Sequence, residues 1–473
     1  MIFKRIYDEQ LSQASYLIGC GATGEAIVID PNRDAQQYIR IAGSEKLTIT
    51  HVTETHIHAD FVSGARELAS RTGARLYLSD EGGEDWKYGF ASSDDATLLR
   101  DGDSFRVGNV RFDVIHTPGH TPEHICFLVT DTAAADLPIG LLSGDFVFVG
   151  DVGRPDLLEK AAGVAGAMDA GARSLFGSIG KFREQPDYLQ LWPGHGAGSA
   201  CGKGLSAVPH STVGYERLVN PMLAFQREDE FVDAVLEGQP EPPRYFATMK
   251  RINRDGPPLL GKLPDPRRLT SDRLGSVVDR QALVVDTRSA ERFADGHVPG
   301  TINIPFDRSF TTWAGWLIPY DREFYLIADG DNSLAQTIAA DLSMIGLDEL
   351  AGYFGADAVE AWAAGGRQLQ TIEQIDSGEL EKRIADGSVH ALDVRGRSEW
   401  EAGHIEGVQN IPVGHIPDEV DRIPRDRPLV VHCQAGARSS IAASVLQAAG
   451  FVDVLNLSGG YADWVSQNRK SPR

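Results

Sequence analysis

The chain has 473 residues, 42% hydrophobic and 24% charged, and this length predicts about three domains rather than one compact core. Its 45 basic and 67 acidic residues give a formal net charge of −22. Nucleic acids and anionic membrane surfaces attract clustered positive charge, so we expect neither of them as a partner.

Targeting signals and paired cysteines are missing from the sequence pattern. The first residues, MIFKRIYD, do not form the apolar stretch of a secretory signal, and no apolar run reaches the roughly 18 residues of a membrane span. The cysteines are scattered without CxxC spacing, at Cys20, Cys126, Cys201 and Cys433. This usage is typical of a reducing compartment, so we expect a cytoplasmic protein.

The N-terminal half alternates short β-branched runs with turns rich in glycine and histidine, a pattern that predicts strands. The predicted strands span residues 26–30, 47–55, 75–79, 110–116, 124–129, 140–142 and 188–192. Histidines and aspartates follow several of these strands, on loops, where a rigid scaffold usually displays its chemistry.

Four of these loops carry metal-ligand residues, in three of them beside a glycine. The first reads THIHAD at 55–60, and the others present His120, Asp145 and His195. Glycine allows the backbone to approach closely, and imidazoles with carboxylates suit a first-row transition metal. The four loops together therefore predict a metal site.

These motifs resemble the metallo-β-lactamase superfamily over about residues 1–245. The resemblance implies an αββα sandwich with metal at one edge of the sheets. The superfamily's first motif usually reads HxHxDH and serves two metals, whereas Phe61 stands at its last position here. A phenyl ring cannot bind metal, so this departure argues against a dinuclear hydrolase such as glyoxalase II without excluding one.

Within the superfamily the sequence is most similar to the persulfide dioxygenases, which hold one Fe(II) with two histidines and one aspartate. The ligands implied by the resemblance are His56, His120 and Asp145. The residues that would orient them, or serve as alternative ligands, are His58, Asp60 and His195. Two histidines and one carboxylate are also the usual face of non-haem iron oxygenases. The implied cofactor is mononuclear Fe(II), with zinc as an alternative in purified protein.

Two further segments suggest substrate contacts near this site. The segment GDVGRPD at 150–156 resembles the family's Gly-Arg-Thr-Asp segment and implies substrate binding by Arg154, although Pro155 departs from the pattern. Residues 194–204 are dense in glycine, so their amides could form an anion nest to which Lys203 adds charge. The alternative is a flexible connection that contains an inert Cys201.

An internal repeat fills the rest of the chain after a proline-rich linker. VVDTRSAERFADGHVPGTINIP from Val284 matches ALDVRGRSEWEAGHIEGVQNIP from Ala391, and the match continues further on with a spacing three residues shorter. Each copy reads strand, loop, helix, strand, loop, helix. This order predicts a small parallel α/β domain present twice.

The second copy carries a cysteine loop between a predicted strand and a predicted helix that begins at about residue 439. Converging amides and the positive end of the helix would stabilise a thiolate or persulfide at Cys433. The loop resembles that of the rhodaneses, over about residues 370–470, with the family's supporting pattern at Asp393, Arg395, Glu399, His404, 410–412 and 459–460. The resemblance implies catalytic Cys433 and Arg438, with Gln434 and Gly436 binding the sulfur donor. Four residues separate Cys433 from Arg438, and this short loop favours sulfur transfer over the phosphatase chemistry of the related C-x5-R loops.

The first copy has Asp329 and Leu334 where the second has Cys433 and Arg438. A carboxylate cannot carry sulfane sulfur, so we expect this copy to be inactive and kept for packing, positioning or dimer contact.

The sequence thus predicts an α/β and α+β multidomain chain. A metallo-β-lactamase-fold persulfide dioxygenase at 1–252 would be followed by a linker at 253–268, an inactive rhodanese-like domain at 269–366 and an active one at 367–473. Expected partners are O₂, a low-molecular-weight thiol persulfide of glutathione or another thiol, and thiosulfate or sulfite. A thioester hydrolase fused to a rhodanese and a rhodanese-based sulfur carrier or sensor are the alternatives. The thiol carrier, the direction of sulfur flow and homo-oligomer formation stay open.

Overall fold

The computed structural model describes residues 1–160 and 166–468 of the chain. It divides into two compact units. The first comprises residues 1–263 together with 343–346, and the second comprises residues 264–342 and 347 onward.

The first unit alternates strands and helices. Its strands are β1 (Ile2–Asp8), β2 (Gln13–Cys20), β3 (Glu25–Ile29), β4 (Thr48–Thr53), β5 (Arg75–Ser79), β6 (Thr97–Leu99), β7 (Ser104–Val107), β8 (Val110–His116), β9 (Ile125–Asp131), β10 (Gly140–Gly144), β11 (Gln190–Pro193) and β12 (Ser211–Thr212). Its helices are α1 (Ala35–Ser44), α2 (Ala65–Thr72), α3 (Leu157–Lys160), α4 (Ala167–Arg183), α5 (Val213–Val219), α6 (Glu228–Leu236) and α7 (Phe246–Asp255).

The described strands of this unit form two mixed sheets that pack face to face. Their orders are β1-β2-β3-β4-β5-β6 and β12-β11-β10-β9-β8-β7. One apolar cluster joins residues of both sheets, such as Tyr16 and Ile27 with Phe112 and Phe127. A second cluster lies between the first sheet and α1 and α2, and a third between the second sheet and α4 and α6. Sheets need both faces covered, and these layers make the predicted αββα sandwich.

The chain from residue 264 onward contains the second set of elements. The strands are β13 (Leu283–Asp286), β14 (Ile302–Asn303), β15 (Phe324–Ala328), β16 (Leu350–Gly355), β17 (Glu373–Ile375), β18 (His390–Asp393), β19 (Gln409–Asn410), β20 (Leu429–His432) and β21 (Val454–Leu457). The helices are α8 (Arg273–Asp279), α9 (Ala290–Asp295), α10 (Phe310–Leu317), α11 (Asn332–Met344), α12 (Asp357–Ala364), α13 (Ser377–Ala385), α14 (Arg397–Glu401), α15 (Ile416–Glu419), α16 (Ala437–Ala448) and α17 (Gly460–Asn468).

Each repeat copy builds a parallel sheet, as the repeat predicted. The sheet orders are β14-β13-β15-β16 and β17-β21-β20-β18-β19, and every pairing is parallel. The registers of the two copies agree, since Asp286 pairs with Asn303 in the first and Asp393 with Asn410 in the second. The predicted fold class of a sandwich followed by two parallel α/β domains is confirmed.

The predicted linker at 253–268 begins inside a helix, because α7 runs to Asp255. Asn253 is buried in this helix, and its amide donates to the carbonyl oxygens of His58 and Phe61, both at 2.7 Å. Its side-chain oxygen accepts from the amide of Ser63 at 2.9 Å. The last turn of α7 therefore fixes the segment that follows the first metal-ligand motif. No helix in the described part of the chain combines the length and hydropathy needed to span a bilayer.

Candidate metal centre and cysteine loop

The loops after β4, β8, β10 and β11 meet at one edge of the sandwich. Ile125 N donates to Thr55 O at 2.8 Å, and Gly194 N donates to Gly144 O at 2.8 Å. A Cβ on Gly194 would lie 2.7 Å from the Oδ1 of Asp145, and one on Gly144 would lie 2.5 Å from the Oγ1 of Thr55. Glycine at these two positions therefore permits the close approach that the ligand-bearing loops require.

His56, His120 and Asp145 converge in a buried cluster. One potential ligand atom from each lies within 4.8 Å of the other two. The Nε2 atoms of His56 and His120 are 3.9 Å and 3.5 Å from the Oδ2 of Asp145. The structure thus brings together the three residues that the sequence predicted as ligands.

Hydrogen bonds orient both imidazoles with Nε2 free. The Thr55 hydroxyl donates to Asp30 Oδ2 at 2.9 Å, so it accepts from the Nδ1 of His56, also at 2.9 Å. The Nδ1 of His120 faces the Arg154 carbonyl at 3.1 Å, and a carbonyl only accepts. Each Nε2 is therefore a lone-pair donor aimed into the cluster, held by a partner on the other ring nitrogen as in typical metal sites.

The two carboxylate oxygens of Asp145 lie in different environments. Its Oδ1 lies 2.7 Å from the Nδ1 of His195, whereas its buried Oδ2 makes no hydrogen bond to any described residue. Burial alone would raise the pKa of Asp145, but His195, with His56 and His120, holds it well below its ordinary value. An ionised oxygen left without a donor beside two free imidazole nitrogens fits a divalent transition metal.

The protonation states agree with this donor set. Burial lowers the pKa of His56 well below its ordinary value and also lowers the pKa of His120. Metal binding needs neutral imidazoles, and these two rings are neutral at physiological pH.

His58 does not face the cluster as a ligand. Its Nε2 pairs with Asp30 Oδ1 at 3.2 Å. Burial alone would lower the pKa of His58, but the Asp30 carboxylate raises it to about 9. His58 and Asp30 therefore form a buried ion pair beside the predicted ligand His56.

A second group of ligand types lies beside the first. Asp60, His195 and Cys201 place potential ligand atoms within 4.8 Å of one another, and all three are buried. His195 Nε2 is 2.7 Å from Asp60 Oδ2. Burial, with the nearby carboxylates of Asp60 and Asp145, raises the pKa of the Cys201 thiol well above its ordinary value. The sequence placed Asp60 and His195 near the metal but gave Cys201 no role; its only signal was the glycine-dense loop that follows His195.

Arg154 supports the loops instead of facing a substrate. Its fully buried guanidinium donates to both oxygens of Asp156 at 2.8 Å and 2.7 Å, and to the carbonyls of Ala200 at 2.9 Å and Pro240 at 2.5 Å. The predicted substrate contact would have to replace these bonds. The structure therefore gives Arg154 a positioning role, in which its own carbonyl orients His120.

The predicted anion nest already holds a carboxylate of the chain. The amides of Lys203 and Gly204 donate to Asp151 Oδ2 at 3.1 Å and 2.7 Å. The Lys203 ammonium donates to the carbonyls of Ala234 and Glu237, at the end of α6. The structure thus assigns these groups to tethering the 194–204 segment, which corrects the predicted role of Lys203 in substrate binding.

The second repeat copy places Cys433 at the start of a loop that leads into α16. Its buried Sγ accepts from Gly436 N at 3.1 Å, and the Ser439 hydroxyl lies at 3.5 Å. Gly436 has a φ of 108°, which glycine tolerates, and a Cβ on Gly460 would lie 2.5 Å from the Cys433 carbonyl. The loop therefore directs one backbone amide and one hydroxyl at the sulfur, where the sequence predicted converging amides.

The predicted cation Arg438 is bound to a partner. Its guanidinium donates to both oxygens of Glu399, at 2.5 Å and 2.8 Å. Arg395 is buried and paired with Asp393. The Nη1 of Arg395 donates to the Oε1 of the exposed Gln434 at 3.4 Å. Sequence reasoning missed His432, which lies buried directly before the cysteine with its Nε2 at 3.8 Å from the Oδ2 of Asp393.

The first repeat copy shows a different pairing at the same place. Asp329, which stands where the second copy has Cys433, forms an exposed ion pair with Arg292. Arg292 stands where the second copy has Glu399. This loop contains no thiol, so it cannot form a persulfide.

Two family models match the chain. The model of the metallo-beta-lactamase superfamily matches residues 9–195, and that of the rhodanese-like domain matches residues 271–362 and 376–467. The second and third matches fall on the two repeat copies.

Solved and curated relatives agree with this division. A metallo-beta-lactamase from Staphylococcus aureus subsp. aureus COL, known from its crystal structure, is 48% identical with a TM-score of 0.70, and the match covers 75% of this chain and 99% of that one. A sulfurtransferase of Allochromatium vinosum is 38% identical over 94 residues, which are 20% of this chain and 88% of that protein. A hydroxyacylglutathione hydrolase of Rhodospirillum rubrum is 32% identical over 186 residues, 38% of this chain, and the match spans only 60% of the hydrolase.

Proposed function

Because the chain belongs to the metallo-β-lactamase superfamily and continues into two rhodanese-like domains, we propose that it is a bifunctional enzyme of sulfur metabolism. Its N-terminal domain, at about 1–252, would oxidise a low-molecular-weight thiol persulfide with O₂ to sulfite and thiol. Its C-terminal domain, at about 367–473, would transfer sulfane sulfur through a persulfide on Cys433. We place both reactions in the cytoplasm.

One observation carries the oxygenase proposal: the Nε2 atoms of two imidazoles lie 3.9 and 3.5 Å from one buried carboxylate oxygen, and that oxygen has no hydrogen bond to any described residue. Two histidines and a carboxylate are typical of non-haem Fe(II) oxygenases, and an iron held here would supply the activation of O₂. The proposed holders of one Fe(II) are His56, His120 and Asp145, and zinc could take its place in purified protein.

The surrounding residues would keep this donor set rigid during the reaction. Thr55 and the Arg154 carbonyl fix the two rings, and His195 holds Asp145 through its other oxygen. Metal affinity and activity depend on hydrogen bonds of this kind to the metal ligands.

The net reaction of the N-terminal domain would be RSSH + O₂ + H₂O → RSH + SO₃²⁻ + 2 H⁺.

Sulfur transfer would use the thiolate of Cys433. It attacks the outer sulfur of RSSH, a bond forms between the two sulfurs, the S–S bond of the donor breaks, and RS⁻ leaves with Cys433–S–SH behind. Gly436 N and the Ser439 hydroxyl lie where they can stabilise the charge on Sγ in this step. The sulfite made by the first reaction and the persulfide used by both give the fusion a chemical reason.

A second candidate function follows from Asp60, His195 and Cys201. These residues could hold a second metal despite Phe61, and a dinuclear site would favour thioester hydrolysis by a metal-activated hydroxide. The similarity to a hydroxyacylglutathione hydrolase fits this alternative, but only over part of both chains.

An oxygen electrode distinguishes the two functions. With iron-loaded protein and glutathione persulfide, we expect O₂ uptake with sulfite formed in equal amount, and a loss of about 1,000-fold in His120→Ala. His51→Gln, on strand β4 away from the ligands, should keep its rate within about twofold. Hydrolysis of a glutathione thioester without O₂ uptake would support the dinuclear hydrolase instead.

A further inference from the structure

The cation beside the cysteine loop is neutralised by a neighbouring carboxylate. Both terminal nitrogens of Arg438 donate to Glu399, and Gly396 N donates to Glu399 Oε2 at 3.1 Å. The side chains of Arg438 and Glu399 are only 25% and 38% exposed. Such a bidentate pair is fixed in geometry and leaves the guanidinium with little net attraction for an incoming anion.

The second nearby cation is also paired. Arg395 donates to Asp393 Oδ2 at 2.7 Å and 3.0 Å, and its guanidinium carbon lies 4.0 Å from the ring centre of Tyr461. The loop CQAGARSS at 433–440 contains no other basic residue. Burial lowers the pKa of His432, so this imidazole adds no positive charge at neutral pH. The positive charges around Cys433 are therefore matched by carboxylates.

Sulfur donors differ in the charge that they bring to this loop. Thiosulfate gives Cys433–S⁻ + S–SO₃²⁻ → Cys433–S–S⁻ + SO₃²⁻, so a leaving group with two negative charges must sit at the loop. A low-molecular-weight persulfide releases a thiolate sulfur, which carries one negative charge. In a partly buried setting each unpaired charge costs more than it does in water, so the donor of lower charge is favoured.

We propose that Glu399 is a positioning residue that sets donor choice: by holding Arg438, it makes Cys433 a site for thiol persulfides and disfavours thiosulfate. This inference rests on the proposed sulfur transfer through Cys433. It concerns the ratio of the rates at which two donors load Cys433, whereas the transferase proposal concerns whether Cys433 is loaded at all.

The first repeat copy indicates that the fold does not need a carboxylate at this position. Arg292 occupies it there, in a sheet whose four strands match the order β19-β18-β20-β21 of the second copy, with the same Asp–Asn register. The position is therefore free to vary with the chemistry of its loop, and its substitution should leave the domain folded.

The test loads Cys433 anaerobically, so that oxygen does not consume the persulfide, and follows the persulfide by intact mass. We expect the wild type to load faster from glutathione persulfide than from thiosulfate. Glu399→Gln keeps the shape of the side chain and frees the charge of Arg438, so the KM for thiosulfate should fall about tenfold with kcat unchanged. The rate with glutathione persulfide should stay within about twofold.

Two further variants separate charge from structure. Glu401→Gln changes an exposed residue of the same helix that pairs with Arg397, and it should alter neither donor. Ala437→Lys adds an unpaired cation at the exposed first residue of α16 with Glu399 intact, and it should also favour thiosulfate. Faster loading of the wild type by thiosulfate, or an equal change for both donors in Glu399→Gln and Ala437→Lys, would overturn the inference. Loading by neither donor would remove the transferase proposal and this inference with it.

Discussion

The two repeat copies share a framework and differ in the loop that it displays. In both, an arginine two residues after the strand donates to the aspartate that ends it, with Nη2–Oδ2 distances of 2.7 Å for Arg288–Asp286 and Arg395–Asp393. In both, an asparagine of the neighbouring strand donates to the two flanking carbonyls at 2.8 to 3.0 Å. The framework was therefore kept in each copy independently of the cysteine.

The loops differ in chemistry and in charge pairing. The second copy presents Cys433 and pairs Arg438 with Glu399, whereas the first presents Asp329 and pairs it with Arg292. Both loops end with their charges balanced, but only one carries a nucleophile. The comparison indicates that this fold tolerates loss of its reaction as long as the aspartate, arginine and asparagine framework is retained.

The largest expected effect is the loss of sulfur transfer on substitution of Cys433. Cys433→Ser should lower sulfur transfer by about 1,000-fold or more, because serine cannot hold a sulfane sulfur. O₂ uptake by the N-terminal domain should stay within about twofold in the same variant. The measurement is thiocyanate formation from persulfide and cyanide, beside oxygen-electrode traces.

A cysteine introduced into the loop of the first repeat copy tests whether that copy lacks more than its thiol. Asp329→Cys in a Cys433→Ser background should restore less than about 1% of the rate, since Leu334 replaces the loop arginine. Recovery to wild-type rates would mean that the first copy lost only its thiol and is otherwise competent.

A smaller effect is expected from the buried arginines in both copies. Arg288→Met and Arg395→Met each leave an aspartate buried and unpaired, which costs about 3–5 kcal/mol of stability. Hydrogen exchange of the strand peptides around residues 283–303 and 390–410 measures each copy separately. Adding Asp286→Leu or Asp393→Leu should recover most of the loss, and a loss without recovery would assign these arginines another role.

The smallest expected effect is a difference in acid stability. Burial lowers the pKa of His297 to about 4, whereas its counterpart His404 is exposed. Between about pH 6.5 and 4 the unfolded chain binds a proton that folded His297 does not, so the first copy loses stability as the pH falls through this range. From pH 7 to 5 the loss should be about 2 kcal/mol.

Matched glutamine variants test the acid effect. His297→Gln should remove the extra pH dependence from the exchange rates of strands β13 and β15, whereas His404→Gln should leave the second copy unchanged. Acid sensitivity of the first copy that survives His297→Gln would contradict the assignment, whereas any acid sensitivity of the second copy is expected from the buried His432.

Much of the scaffold could be predicted because it depends on local pattern. The β-branched runs predicted β3, β4, β5, β8, β9, β10 and β11 to within a few residues. The strands β1 and β2 were missed, although they are paired along their length, because IFKRIYD mixes charged with apolar residues and no strong turn signal separates it from QASYLIGC.

Side-chain direction was harder to predict than ligand identity. The motifs predicted a metal site, the resemblance to the persulfide dioxygenases implied His56, His120 and Asp145 as its ligands, and these residues lie together. Arg154 and Lys203 lie on neighbouring loops, but their partners are Asp156 and the carbonyls at the end of α6, which are chosen by tertiary packing. Cys201 beside Asp60 depends on the path of a glycine-dense loop, which sequence spacing does not determine.

The central claim is a single iron held by two histidines and one aspartate, and a metal titration tests it most directly. Metal-free protein is loaded with Fe(II) anaerobically in steps, and O₂ uptake with glutathione persulfide is measured after each step. The rate should rise linearly and level off at one iron per chain, both in the wild type and in Cys201→Ser. A plateau at two metals per chain, or thioester hydrolysis without O₂ uptake at every loading, would contradict the account.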